Sequence, residues 1–122
     1  METTITSRLP FQLQLVVKSV KEHIDSHPLD WDSMDDFCSL AGINRKTLQK
    51  AFKQEFGTRI SDHQLIRRME AAAEMLRDGR LSQKQIASKC GYHKPNNFSR
   101  AFKKVYKCAP TEWQNECNVR MN

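Results

Sequence analysis

Side chains able to do chemistry are concentrated in two short stretches of this 122-residue chain, and the chemistry they offer is anion recognition. Residues 44–60 hold Arg45, Lys46, Lys50, Lys53 and Arg59 against Glu55 alone, a local charge of +4. Residues 93–107 hold Lys94, Arg100, Lys103, Lys104 and Lys107 with no acid, a local charge of +5. Thr47, Gln49, Asn96 and Asn97 are interleaved with these cations. Guanidinium and ammonium groups suit phosphate oxygens, while Arg, Lys, Asn and Gln can also read the edges of base pairs. Covalent catalysis finds no support: no nucleophile stands with a base, and there is neither a glycine-rich phosphate cradle nor a pair of catalytic acids. His23 and His27 have the four-residue spacing that can hold a metal on a helix. No third ligand lies nearby and no Glu separates them, so a surface pair is expected. Cys38, Cys90, Cys108 and Cys117 form no CxxC pair and are expected as reduced thiols, with a Cys108–Cys117 redox pair as the minor alternative. The expectation is therefore a non-enzyme with no cofactor and no metal.

The whole-chain balance, 20 Lys and Arg against 14 Asp and Glu for a net +6, understates this segregation. Residues 1–40 carry three cations against seven acids, −4, so the N-terminal third opposes the two basic stretches. The length suits one domain, or at most two very small ones, and 39% hydrophobic content supports only a thin core. No apolar run approaches the ~20 residues that span a bilayer, and residues 1–40 show no basic region followed by a hydrophobic stretch, so secretion and membrane insertion are not expected. A cytoplasmic, nucleoid-associated protein without membrane contact is expected.

The basic stretches lie within an internal repeat. Phe37 to Phe56 reads FCSLAGINRKTLQKAFKQEF, and Ile86 to Tyr106 reads IASKCGYHKPNNFSRAFKKVY. Gly42 corresponds to Gly91; after one extra residue in the second turn, Leu48, Ala51, Phe52, Lys53 and Phe56 correspond to Phe98, Ala101, Phe102, Lys103 and Tyr106. Each copy has a short apolar-periodic segment, a Gly suited to a left-handed helix end, a short connection and a longer basic amphipathic segment. That is the pattern of a helix-turn-helix, whose second helix enters the DNA major groove.

Helical periodicity recurs almost throughout and no convincing alternating strand is present, so about seven helices in an all-α fold are predicted. Leu13, Val16, Val20 and Ile24 line a first helix that ends before His27-Pro28. Ser33 to Asp36 resembles a capping box opening a short helix that buries Met34, Phe37, Cys38 and Leu40. Asn44 caps the next, whose inner face is Leu48, Ala51, Phe52, Glu55 and Phe56. A longer helix over about 60–77 turns Leu65, Ile66, Met69, Ala72, Ala73 and Leu76 inward. Ser82 to Gln85 is a second capping box, followed by Ile86, Ala87 and Cys90. Pro95 opens a helix with Phe98, Phe102, Val105 and Tyr106 facing in, and Pro110 opens a last one with Trp113 and Cys117. The predicted organisation is an N-terminal tail or linker over 1–10, a DNA-binding domain over 11–117, and a tail over 118–122. Within the domain, helix-turn-helix subdomains over about 11–57 and 80–117 are joined by the long central helix. At ~1.5 Å per residue that helix is roughly 27 Å long, near the ~34 Å between successive major-groove windows. One chain would then supply two unlike reading heads and recognise an asymmetric site as a monomer.

The chain resembles the DNA-binding domain of the AraC/XylS transcription regulators over roughly residues 11–117. The second repeat carries the resemblance most specifically, through Ile86-Ala87, Gly91-Tyr92, Phe98-Ser99-Arg100, Phe102-Lys103-Lys104, Pro110 and Trp113. The central helix adds Arg68-Met69, Ala72 and Met75-Leu76. The resemblance implies two helix-turn-helix units in a monomeric module and transcriptional control, most often activation through contact with RNA polymerase. The sequence departs from the family pattern at Lys107, where Gly is usual, at Cys108-Ala109, at Ile60, where the first copy often has Pro, and at Lys94, where a hydroxyl cap is usual. Members usually carry a sensing or dimerisation domain ahead of this one. Both a small stand-alone regulator and part of a longer one fit the sequence.

Base contacts are expected from the exposed N-terminal turns of each reading helix. The resemblance points to Lys46, Gln49 and Lys50 in the first; the outward set in the second is Asn96, Asn97 and Arg100. Arg45, Thr47, Lys53, Arg59, Lys94, Lys103 and Lys104 are assigned to phosphates, which position the protein without specifying sequence. The alternative is a helical interaction module that binds an acidic protein partner. Binding to a specific duplex in the presence of excess random DNA separates the two.

Overall fold

The computed structural model describes residues 9–121, and side chains as far as Glu116. The expected 1–10 tail is thus mostly outside the described residues, as is the Cys117 thiol of the conjectured redox pair. Seven helices and no strand are found among the described residues. They are α1 (Phe11–Ser26), α2 (Met34–Ala41), α3 (Arg45–Phe56), α4 (Ile60–Asp78), α5 (Gln83–Lys89), α6 (Pro95–Tyr106) and α7 (Pro110–Met121). The fold is all-α, and no described helix is long and apolar enough to cross a membrane.

Local chemistry sets the helix ends. α1 stops where Pro28 restricts the preceding residue, and the His27 amide closes the last turn on the His23 carbonyl at 3.0 Å. In the α2 capping box, Asp36 N–H donates to Ser33 Oγ at 3.1 Å and Ser33 N–H donates to Asp36 Oδ2 at 2.8 Å. Asp reaches back as the more usual Glu would. Gly42 at φ 72° ends α2 in the left-handed region, and its amide bonds the Cys38 carbonyl. Asn44 Oδ1 accepts the Thr47 amide at 2.9 Å to open α3. Ser82 and Gln85 form the second reciprocal box, with the Gln85 amide donating to Ser82 Oγ and the Ser82 amide to Gln85 Oε1.

The chain divides into two compact units, the first ending at Gln64 and the second beginning at Leu65. The core of the first contains Val17, Val20, Ile24, Phe37, Leu48, Ala51, Phe52 and Ile60, with Leu13, Met34, Cys38, Ala41 and Phe56 packed against it. Residues buried in the second include Met69, Ala72, Ala73, Leu76, Ile86, Ala87, Cys90, Phe98, Phe102 and Pro110. Each unit buries two large phenylalanines, and Phe52 and Phe102 occupy corresponding positions of the repeat.

Three packing expectations are corrected. Val17 rather than Val16 is fully buried on α1, because Val17, Val20 and Ile24 form the inner stripe. Leu40 is 52% exposed: the eight-residue α2 turns Phe37 inward, with Met34, Cys38 and Ala41 beside it, and Leu40 falls off that stripe. Ile66 is 40% exposed, whereas Arg68 is buried beside Met69. Met69, Ala72, Ala73 and Leu76 are buried as expected, and of the two edges of that stripe packing covers the Arg68 stem and leaves Ile66 in solvent.

Candidate nucleic-acid interface

α3 and α6 are amphipathic in the same sense. α3 buries Leu48, Ala51 and Phe52, which leaves Arg45, Lys46, Gln49, Lys50 and Lys53 exposed. α6 buries Phe98 and Phe102, which leaves Asn96, Asn97, Arg100, Lys103 and Lys104 exposed, with Lys94 exposed at its start. All six residues expected to read bases are therefore in solvent. Thr47 is half-buried, and its amide is engaged by the Asn44 cap.

In the first unit, Lys46, Gln49, Lys50, Lys53 and Arg59 line one open groove of about 590 Å³, with Met34, Ile60 and Ser61 completing the lining. The groove unites three expected base readers with two expected phosphate contacts on one side of α3. It does not include Arg45 or Thr47. Ser61, next to Arg59, was not singled out from the sequence; a lone hydroxyl outside a motif gives no signal. Ile60, where the resemblance favours Pro, is buried and ties the start of α4 into the first core.

A polar latch between α1 and α4 backs the aromatic side of α3. Phe52 packs near Phe56 and the His63 ring, with centroids 4.8 and 6.0 Å away. His63 Nε2 donates to Asp25 Oδ1 at 2.7 Å, and Lys21 Nζ donates to Asp25 Oδ2 at 2.8 Å. Burial by itself would raise the Asp25 carboxyl; the Lys21 and His63 hydrogen bonds and charges outweigh it and hold the pKa below 3.8. One carboxylate thus ties α1 to the first turn of α4, and the His63 ring it holds lies against Phe52 of α3. His23 meets Asp32 at 3.0 Å and stacks on His27 at 4.5 Å. Among the described residues no group of three His, Cys, Asp or Glu is arranged to hold a metal ion.

In the second unit an aromatic set replaces the latch. Phe102 lies 6.0 Å from Phe98, 4.7 Å from Tyr106 and 6.0 Å from Trp113. Arg77 sits over the Trp113 ring at 5.7 Å, and Gln114 Nε2 donates to the Leu76 carbonyl at 2.8 Å. Burial pushes the Cys90 thiol up to about 11, with the Arg68 charge opposing. Slight burial, then the Glu116 and Glu112 charges, raises Cys108 as well. Both thiols are therefore poor nucleophiles at neutral pH.

Two departures from the family pattern have structural counterparts at the ends of α6. Lys94 has extended N-cap dihedrals but makes no side-chain cap hydrogen bond, and Pro95 follows at the first helical position. Lys107 ends the helix at φ 67°, alone among described non-glycine residues in having positive φ.

Two repeated units, each with a capped or Gly-ended short helix, a turn and an exposed basic second helix, define a helix-turn-helix protein. A family model described as "Helix-turn-helix domain" matches residues 37–116. The chain is 34% identical over 79 residues to the HTH-type transcriptional activator RhaR of Mannheimia succiniciproducens, covering 65% of this chain and 29% of that protein. It is 32% identical over 92 residues to the xylose operon regulatory protein of Escherichia coli K12, covering 75% of this chain and 24% of that one. The chain thus spans less than a third of either relative. A crystal structure of a Chromobacterium violaceum transcriptional regulator, described as AraC-type DNA-binding domain-containing, superimposes with a TM-score of 0.77 at 25% identity, covering 85% of this chain and 93% of that one. The chain belongs to the AraC-type helix-turn-helix family.

Proposed function

We propose that the chain is a sequence-specific double-stranded DNA-binding transcriptional regulator that acts as an activator, with α3 and α6 entering successive major grooves of an asymmetric site. The observation that carries this reading is the shared design of the two helices, α3 anchored by buried Leu48 and Phe52 and α6 by buried Phe98 and Phe102, each exposing Arg or Lys beside Asn or Gln on its outer face. Lys46, Gln49, Lys50, Asn96, Asn97 and Arg100 read bases in this proposal. Arg45, Thr47, Lys53, Arg59, Lys94, Lys103 and Lys104 contact phosphates in it. The named regulators among its relatives support the reading, and it extends to a monomeric binding module that touches RNA polymerase.

Selection of bound duplexes from a random pool, followed by gel-shift competition, tests it. Enrichment of one asymmetric sequence that survives excess random DNA is the expected result; equal binding to any polyanion, or to an acidic protein instead, overturns it. On the selected duplex, Arg100→Ala should relax base preference at its contact position, by ~1–3 kcal/mol of discrimination. Lys103→Ala should weaken all sequences alike and lower the salt slope by about one.

A further inference from the structure

The two reading heads differ in how their cations are engaged. In the second, none of Lys94, Arg100, Lys103, Lys104 and Lys107 forms an ion pair with a carboxylate among the described residues. In the first, Arg45 Nη2 lies 3.8 Å from Asp35 Oδ1, and Arg59 Nε donates to Asp62 Oδ2 at 3.0 Å. Asp35 stands in the first turn of α2 and Asp62 in the first turn of α4, so each carboxylate comes from an element flanking α3. Asp35 is 91% exposed in its side chain, which places it in solvent beside the start of the reading helix.

We infer that Asp35 and Asp62 act as internal competitors for DNA phosphate at the first head, making them determinants of its selectivity; this rests on the DNA-binding reading above. Asp62 occupies a guanidinium that a phosphate would otherwise take, Asp35 stands within ion-pair distance of another, and each leaves a negative charge well inside a Debye length of that position. Exposed ion pairs are weak, so a well-placed phosphate can displace the carboxylate, whereas a loosely placed one is repelled without gaining the contact. The first head then captures DNA electrostatically through Lys46, Lys50 and Lys53, against five cations at the second. The second head anchors on any duplex, and the first adds affinity mainly where its base contacts fit.

The test measures binding to a random-sequence 20-base-pair duplex across a salt series. Wild type is compared with Asp35→Asn, Asp62→Asn and Glu22→Gln, the last removing the same charge from the exposed face of α1. Asp35→Asn and Asp62→Asn should each tighten random-duplex binding several-fold at low salt and steepen the log–log salt slope by up to about one, the increment for one added phosphate contact. Glu22→Gln should leave the slope unchanged. In an Arg45→Gln background, Asp35→Asn should no longer steepen it. Slopes for both Asn variants equal to that of wild type or Glu22→Gln overturn the inference. Absence of any salt-dependent duplex binding by wild type overturns the DNA reading itself. Asp35→Ser provides a second version of the α2 change, and melting curves confirm that each variant is folded.

Discussion

Asp25 shows how one carboxylate can stabilise a fold in a pH-dependent way. Its pKa is lowered because Lys21 and His63 donate to it. A depressed folded-state pKa contributes stability that is present above the unfolded value, ~3.9, and is lost as pH falls through the folded value. Urea midpoints should therefore show Asp25→Asn less stable than wild type at pH 7, by about 1–2 kcal/mol given the partial exposure. The gap should close as the pH is taken below about 4; a gap that persists at pH 2 would contradict this account. Lys107 poses the opposite case, a residue that strains the fold. Holding an L-residue left-handed costs ~1–2 kcal/mol, while Gly brings an entropic cost of roughly 0.5–1 kcal/mol. Lys107→Gly should thus stabilise the protein by about 0.5–1 kcal/mol in thermal unfolding.

Helix ends were the most legible level of the sequence. Ser33, Asn44, Ser82 and Gly42 act where their types place them, because caps and left-handed ends depend on residues a few positions apart. Interior faces were less legible: Arg68 takes an inner position and Ile66 does not, since only packing decides which edge of one apolar stripe is covered. The Arg59–Asp62 pair has a readable three-residue spacing, but Arg45–Asp35 joins neighbouring helices and requires the folded turn. The two reading helices also begin differently, α3 with a side-chain cap and α6 without one. Asn44→Ala should cost about 1 kcal/mol in chemical denaturation. Lys94→Ser, whose backbone is already extended, should gain up to about 1 kcal/mol while lowering the DNA salt slope by about one. An unchanged slope would remove Lys94 from the phosphate contacts.

At the scale of the molecule, a duplicated motif has been placed on one chain with unlike outward residues. α3 offers Lys46, Gln49 and Lys50, and α6 offers Asn96, Asn97 and Arg100. The selected site should consequently lack two-fold symmetry and protect more than one major-groove window, about 10 base pairs apart centre to centre. Hydroxyl-radical footprinting checks this, and a palindromic footprint would count against it. The repeat and its two charge clusters were readable because duplication leaves corresponding residues at a constant offset. Groove-lining Ser61 and the Asp25 latch were not, since both depend on contacts between elements.

The chain has just two tryptophans, and they fall on opposite sides of the Gln64–Leu65 division. Trp31 is 56% exposed in the first unit, whereas Trp113 is partly covered by Phe102, Tyr106 and Arg77 in the second. Each unit thereby carries its own intrinsic fluorophore, the first in a wet environment and the second in a drier, aromatic one. Replacing either by Phe leaves emission that reports on one half of the molecule, so the melting of each reading head can be followed without adding a label.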